Sequence, residues 1–140
     1  MRRLGKTLLA LLATLLVYLA IVAGWAAASV DTLLARHPAT LEAPLSPFQL
    51  AILLKIEDPT FLTHHGLSLA DGQGVATISS AVARELFLYD APLTGVSGAL
   101  QRFYRAAFEC CRKVDLGRDT MALVLDAHAS KERQLALYAA

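Results

Sequence analysis

Residues 7–28 run for 22 positions without a charge and are rich in Leu, Ala and Val. No other feature constrains the fold as tightly. As one helix, that length covers a hydrocarbon core of ~30 Å. Arg2, Arg3 and Lys6 stand in front of it, and the positive-inside rule assigns that end to the cytoplasm. Trp25, near the far end, suits an interfacial position. Ala26-Ala27-Ala28 also offers a small-residue cleavage site, so a removed signal peptide is the competing reading; the run exceeds the usual ~7–15-residue h-region, which favours a retained anchor. Either way the remainder leaves the cytoplasm. The expected division is 1–28 cytoplasmic stub and transmembrane signal anchor, 29–46 linker and 47–140 helical domain.

The exported part, residues 29–140, holds ten of the thirteen Lys/Arg and all twelve Asp/Glu, a formal charge of −2. A balance so close to neutral lacks the basic footprint of a nucleic-acid binder, and that class is excluded. Cys110 and Cys111 are adjacent. Neighbouring helical side chains diverge by ~100°, so a bond between them would strain the backbone. Their spacing matches no zinc pattern, and they read as small core or boundary residues.

Beyond the anchor the chain reads as a series of helices with no sustained strand-like alternation. Three prolines between Val30 and Pro47 mark the linker. Ser46 is a good N-cap, Pro47 suits the first helical position, and Gln49 completes a capping box. Pro59 disfavours helical geometry at Asp58, so this helix should stop at about Glu57. Asp71-Gly72-Gln73-Gly74 is a glycine-rich turn whose usual role is tight turning, with close approach to a phosphate as the alternative. Thr77 or Ser79 should cap a helix running through Phe87. Residues 90–98 read as a loop. From Ala99, Leu100, Phe103, Ala107 and Cys111 follow at steps of three and four, flanked by Tyr104 and Phe108. Arg102, Arg105, Arg112 and Lys113 give that helix a basic outer face, able to meet anionic head groups or a diphosphate. Gly117 is expected to break the helix. Met121, Ala122, Leu125 and His128 mark another helical stripe, and Ser130 should cap a last helix through Tyr138, with Leu135 and Leu137 as its apolar positions.

The run Glu57-Asp58-Pro59-Thr60-Phe61-Leu62-Thr63-His64-His65-Gly66 carries the chemistry. A carboxylate where a helix ends and a loop begins can face a cleft, the usual place of general acid–base work. The negative pole of the helix C-terminus and the neighbouring Asp58 are both expected to make Glu57 a stronger base. A solvated helix end with no role is the plain alternative. His64 and His65 lack further ligands at a metal-binding spacing, and hydrogen-bonded loop histidines are the better reading.

Glu57-Asp58-x-x-Phe61-x-x-His64-x-Gly66 resembles the first signature of the peptidoglycan glycosyltransferases, the transglycosylase domain of class A penicillin-binding proteins and monofunctional transglycosylases. The stretch from Gly74 through Thr77 and Arg84 to Phe87 is similar to the family's glycine-Ser-Thr-x-x-Gln-Gln motif. The stretch Ala122 to Asp126, with Ser130-Lys131-Glu132 and Leu135 to Tyr138, resembles its Ser-Lys-x-Glu-Ile-Leu-x-x-Tyr ending. The resemblance covers residues 50–138. It implies a mainly α, lysozyme-like domain behind an N-terminal transmembrane helix, at the outer face of the inner membrane, with lipid II or nascent glycan as substrate. Other cell-wall synthases are implied partners. By that resemblance Glu57 is the base on the acceptor sugar's 4-hydroxyl, Asp58, Phe61, His64 and Gly66 support its loop, and Gly74, Thr77 and Arg84 lie along the substrate groove. A divalent cation, Mg or Mn, assists the diphosphate in some members.

The sequence departs from the pattern at named positions. Ala76 replaces the second motif's serine, Ser80 and Ala81 its two glutamines, and Glu85 its asparagine. Anchoring the last motif on Ser130-Lys131 puts the family's second catalytic glutamate at Arg118. Losing one carboxylate of a working pair removes orders of magnitude in rate, so two functions stand side by side: polymerisation of lipid II, or binding of a lipid-linked glycan or synthase partner without chemistry. Arg118 would then hold a diphosphate. A glycan-cleaving enzyme with Glu57 as acid would need a partner carboxylate, and none is evident.

Overall fold

In a computed structural model the described residues are 2–37, 45–68, 76–110 and 115–140, with side chains from Leu4 onward. Among them the chain is helical throughout, without a strand; His65 and Leu67 form an isolated bridge. Helix α1 spans Arg2–Leu34, about 50 Å at 1.5 Å per residue. It is long and apolar enough to cross a membrane. Its two ends behave differently. Residues 4–17 are exposed on every side, whereas Val22, Trp25, Ala26, Val30, Leu33 and Leu34 are buried in the domain core.

Two expectations change here. The linker does not begin at residue 29. Val30, Leu33 and Leu34 continue the i, i+3/i+4 apolar spacing of Val22 and Ala26, and the helix runs on to Leu34. Trp25 is turned into the protein core rather than left on the helix surface. Its ring packs 5.1 Å from Tyr104 and 5.8 Å from Phe87, centroid to centroid, and its indole N–H donates to the Ser97 carbonyl at 3.2 Å. A buried indole needs such an acceptor.

Helix α2, Pro47–Glu57, has the expected start. The Ser46 hydroxyl accepts from the Gln49 N–H and the Gln49 side chain accepts from the Ser46 N–H. It buries none of its side chains. Helix α3, Ile78–Arg84, is capped by Thr77 and passes into a π-helical turn, Glu85–Tyr89. That turn buries three consecutive side chains, Leu86, Phe87 and Leu88. Its i→i+5 bonding, seen where the Asp90 N–H donates to the Glu85 carbonyl, fits more residues into each turn and narrows the arc the three must cover.

Helix α4, Gly95–Cys110, starts four residues earlier than expected, taking Gly98 into the helix. A side chain at Gly98 would collide with the Leu93 backbone, so glycine is there for close approach. The buried face of α4 also differs from the expected one. Gly98, Gln101, Tyr104 and Phe108 face the core, while Phe103 is 58% exposed and Cys110 is exposed. Gln101 wins the inward position by chemistry: its amide accepts from the Leu93 N–H and donates to the Phe87 carbonyl, joining the loop before α4 to the π-helical turn. Arg105 is only partly exposed, donating to the Leu88 carbonyl. Cys111, Arg112 and Lys113 lie outside the described residues.

Helix α5, Leu116–His128, is capped by Asp115 and packs against both α1 and α3. Gly117 lies in its first turn and does not break a helix; a β-carbon there would fall 2.6 Å from the Tyr18 hydroxyl. Met121, Ala122 and Leu125 are buried, and His128 is not. Helix α6, Lys131–Ala139, is capped by Ser130 as expected. Its buried positions are Gln134 and Ala136; Leu135 and Leu137 are only half-buried. Gln134 faces inward because it accepts from the Ser79 hydroxyl and donates to Asp126 and the Ala129 carbonyl.

Candidate functional site

The two carboxylates of the acidic pair part company. Asp58 ends α2 in a non-helical conformation and is completely buried. Its Oδ2 lies 2.8 Å from His64 Nε2 and accepts the Ile78 N–H at 3.0 Å. One oxygen thus ties the loop after α2 to the first turn of α3, where backbone N–H groups lack helical partners. Phe61 is fully buried, its ring edge-on to His64 at 6.0 Å, with the Lys131 ammonium 4.6 Å from the ring centroid. This is cation–π range. Gly66 closes the loop at φ +86°, and a β-carbon there would lie 2.7 Å from the Ala122 carbonyl oxygen. Its own carbonyl accepts from the Thr77 hydroxyl at 2.7 Å. The loop is therefore fastened to α3 and lies close against the backbone of α5. His65 is exposed, 3.7 Å from Asp126.

Glu57 turns the other way. Its side chain lines a cavity of about 170 Å³ with Thr77, Ser80, Arg84, Arg118 and Tyr138. Glu57, Thr77, Arg84 and Arg118 come from three separate stretches of sequence and meet there. Gly74 and the Asp71-Gly72-Gln73 turn lie outside the described residues.

Two further residues, one lining this cavity and one behind it, bear on the site. The Tyr138 hydroxyl donates to Glu57 Oε2 at 3.1 Å. Burial, then the hydrogen bond to Glu57 and its charge, raise the Tyr138 hydroxyl above its ordinary pKa. Tyr138 ends the stretch that resembles the family's last motif, but nothing in the sequence pairs it with Glu57. Asp119, next to Arg118 and behind the cavity, is buried, and its Oδ1 accepts from Arg118 Nε at 2.9 Å and Nη2 at 2.5 Å. Arg84 makes the same kind of contact with the adjacent Glu85, through Nε at 3.0 Å and Nη2 at 2.7 Å. Each guanidinium is oriented by a neighbouring carboxylate.

Glu57 is the one carboxylate among the described residues lining the cavity, and two guanidiniums share it. No group of three or more His, Cys, Asp or Glu among the described residues is placed to hold a metal ion. This donor set does not fit a resident divalent cation. It suits an anion or a polar sugar beside a carboxylate able to take a proton. Two larger apolar grooves adjoin the cavity, one sharing Arg84 and Tyr138 with it, the other Glu57 and Tyr138. No family model matches the sequence, and no curated protein or solved structure matches it either.

Proposed function

We propose that this chain is a peptidoglycan glycosyltransferase-like protein of lysozyme-like fold, taking lipid II or nascent glycan at the outer face of the inner membrane. One observation carries the reading: residues that the resemblance names from three separate motifs, Glu57, Thr77, Arg84 and Arg118, line a single cavity. α1, with Arg2, Arg3 and Lys6 before its apolar run, supports a single-pass topology with the domain outside the cytoplasm. In the reaction, Glu57 takes the proton of the acceptor sugar's 4-hydroxyl. That oxygen forms the new bond to the donor's anomeric carbon, and the lipid diphosphate leaves with the electron pair of the broken C–O bond. Arg84 and Arg118 are the groups able to hold that diphosphate.

A second reading has its own observation. Arg118 stands where the resemblance expects a second catalytic glutamate, and its guanidinium shares the cavity with Glu57. Such a site favours holding a lipid-linked glycan, or presenting it to a synthase partner, over turning it over. Purified protein and Glu57→Gln, each incubated with labelled lipid II, separate the two. Polymerisation that falls about 10²–10⁴-fold in the variant supports the enzyme. Binding without glycan formation, lost in Arg118→Ala, supports the binding protein. If neither protein binds lipid II, or both polymerise it equally, the proposal fails.

A further inference from the structure

α2 gives Glu57 little support of its own. The helix buries none of its side chains, and Glu57, its last residue, is exposed. A glutamate in that setting has several side-chain torsions to fix, and a misplacement of about 1 Å can cost a base ~10²-fold in rate. Asp58 secures the backbone that follows, through His64 and the Ile78 N–H. Backbone anchoring leaves the torsions of Glu57 to be set from elsewhere.

The hold comes from α6. The Tyr138 hydroxyl reaches Glu57 Oε2 at 3.1 Å across 81 positions of sequence. α6, unlike α2, is tied deep into the domain. Gln134 is wholly buried, accepting from the Ser79 hydroxyl at 2.6 Å and donating to Asp126 and the Ala129 carbonyl, each at 2.9 Å. Arg133 donates to the Leu34 carbonyl at 2.8 Å, and Lys131 to Asp126 at 2.5 Å. These contacts reach α1, α3 and α5, so the tyrosine stands on the frame of the domain. It also stands where the clefts meet. Among the described residues, Tyr138 is the one that lines the Glu57 cavity and both apolar grooves beside it.

Burial, then the hydrogen bond to Glu57 and its charge, raise the Tyr138 hydroxyl above its ordinary pKa, so it is a protonated donor at neutral pH. A phenol that keeps its own proton can orient a carboxylate without competing for the proton that carboxylate is to take. We propose that Tyr138 is a positioning residue for the transfer reaction, holding the Glu57 carboxylate in the orientation from which it takes the acceptor hydroxyl's proton. The proton that Glu57 takes comes from the acceptor sugar, and the phenol stays a donor to the carboxyl group before and after. The inference rests on Glu57 acting as the base, the reading above.

Steady-state polymerisation of labelled lipid II by the whole chain tests it, with the parent beside Tyr138→Phe, Glu57→Gln, the double variant and Leu135→Ala. Tyr138→Phe keeps the ring and removes the donor. Leu135, half-buried on the same helix, reports what loss of packing in α6 does, and thermal unfolding of each variant measures that loss. Tyr138→Phe should lower kcat roughly 10–100-fold, the change a lost hydrogen bond to a charged group gives, and leave KM within about 2-fold. In the double variant the two losses should not multiply, because without the Glu57 carboxylate the hydroxyl has nothing to orient. Leu135→Ala should lower the melting temperature while kcat holds. A Tyr138→Phe protein with unchanged kcat, one altered in KM alone, or losses that multiply in the double variant overturn the positioning and leave Glu57 as the base. A fall in kcat matched by Leu135→Ala at the same loss of melting temperature assigns the effect to packing and also overturns it. A parent that makes no glycan removes the catalytic reading itself, and this inference with it.

Discussion

Replacing Asp58 by alanine should unfasten the loop that presents Glu57. One buried oxygen, Asp58 Oδ2, lies 2.8 Å from His64 Nε2 and 3.0 Å from the Ile78 N–H, and the residue has no solvent exposure to admit compensating water. Removing one partner of a buried, hydrogen-bonded pair costs about 3–5 kcal/mol, because the groups left behind are desolvated without a partner. For a chain of this length that corresponds to a fall in Tm of about 10–20 °C. Asp58→Asn retains an acceptor oxygen and should cost only about 1–2 kcal/mol. Thermal unfolding in detergent, followed by circular dichroism, supplies the global number. Amide exchange at Ile78 supplies the local one, since its N–H loses its acceptor in the alanine variant alone. An Asp58→Ala protein that melts within ~2 °C of the parent, with Ile78 as protected as before, would falsify the account of the loop.

Three further outcomes follow from the same geometry. Gly66→Ala combines a φ of +86° with a β-carbon 2.7 Å from the Ala122 carbonyl, and should destabilise by at least about 2 kcal/mol in a denaturant titration; an unchanged midpoint contradicts it. Trp25→Ala removes a side chain packed on Phe87 and Tyr104, at a cost of about 3–5 kcal/mol, whereas Leu12→Ala on the bare part of α1 should leave domain stability unchanged in detergent. Glu57→Gln should lower the Tyr138 pKa, read by carbon NMR of ring-labelled tyrosine, because the charge and one hydrogen bond raising it are altered, while burial, the largest cause, remains. In the parent, stability from this neutral hydroxyl is fully present below the ordinary value of 10.0 and is lost as pH rises through the higher folded value. A Tyr138 titration that does not move in the variant refutes the contact.

Local signals were readable wherever the chemistry is local. Ser46, Thr77 and Ser130 announced their helices because capping is decided within four residues. Pro59 announced the end of α2 for the same reason. What the sequence concealed was long-range. Phe103 falls on the apolar period and Gln101 does not, yet Gln101 is the inward one, because its amide joins the Leu93 N–H to the Phe87 carbonyl, and a periodic pattern cannot express that pairing. Gly117 looked like a breaker because its partner, the Tyr18 hydroxyl, is nearly a hundred positions away. The cavity was legible in part. Glu57, Arg84 and Arg118 were named from motifs; Tyr138 entered through a contact 81 residues long, and the buried pairing of Asp119 with Arg118 was invisible before the helices were in place.

The continuity of α1 bears on the order of events in the cell. Val22, Trp25, Ala26, Val30, Leu33 and Leu34 belong to the same core as Phe87, Tyr104 and Leu125. A cut after Ala28, as a signal peptidase would make, takes Trp25 and Ala26 out of that core. A domain released from its leader would be missing one wall. Folding of the domain is then tied to α1: the later helices have nothing to close on until that helix is in place, and its bare half is continuous with the half that completes the core.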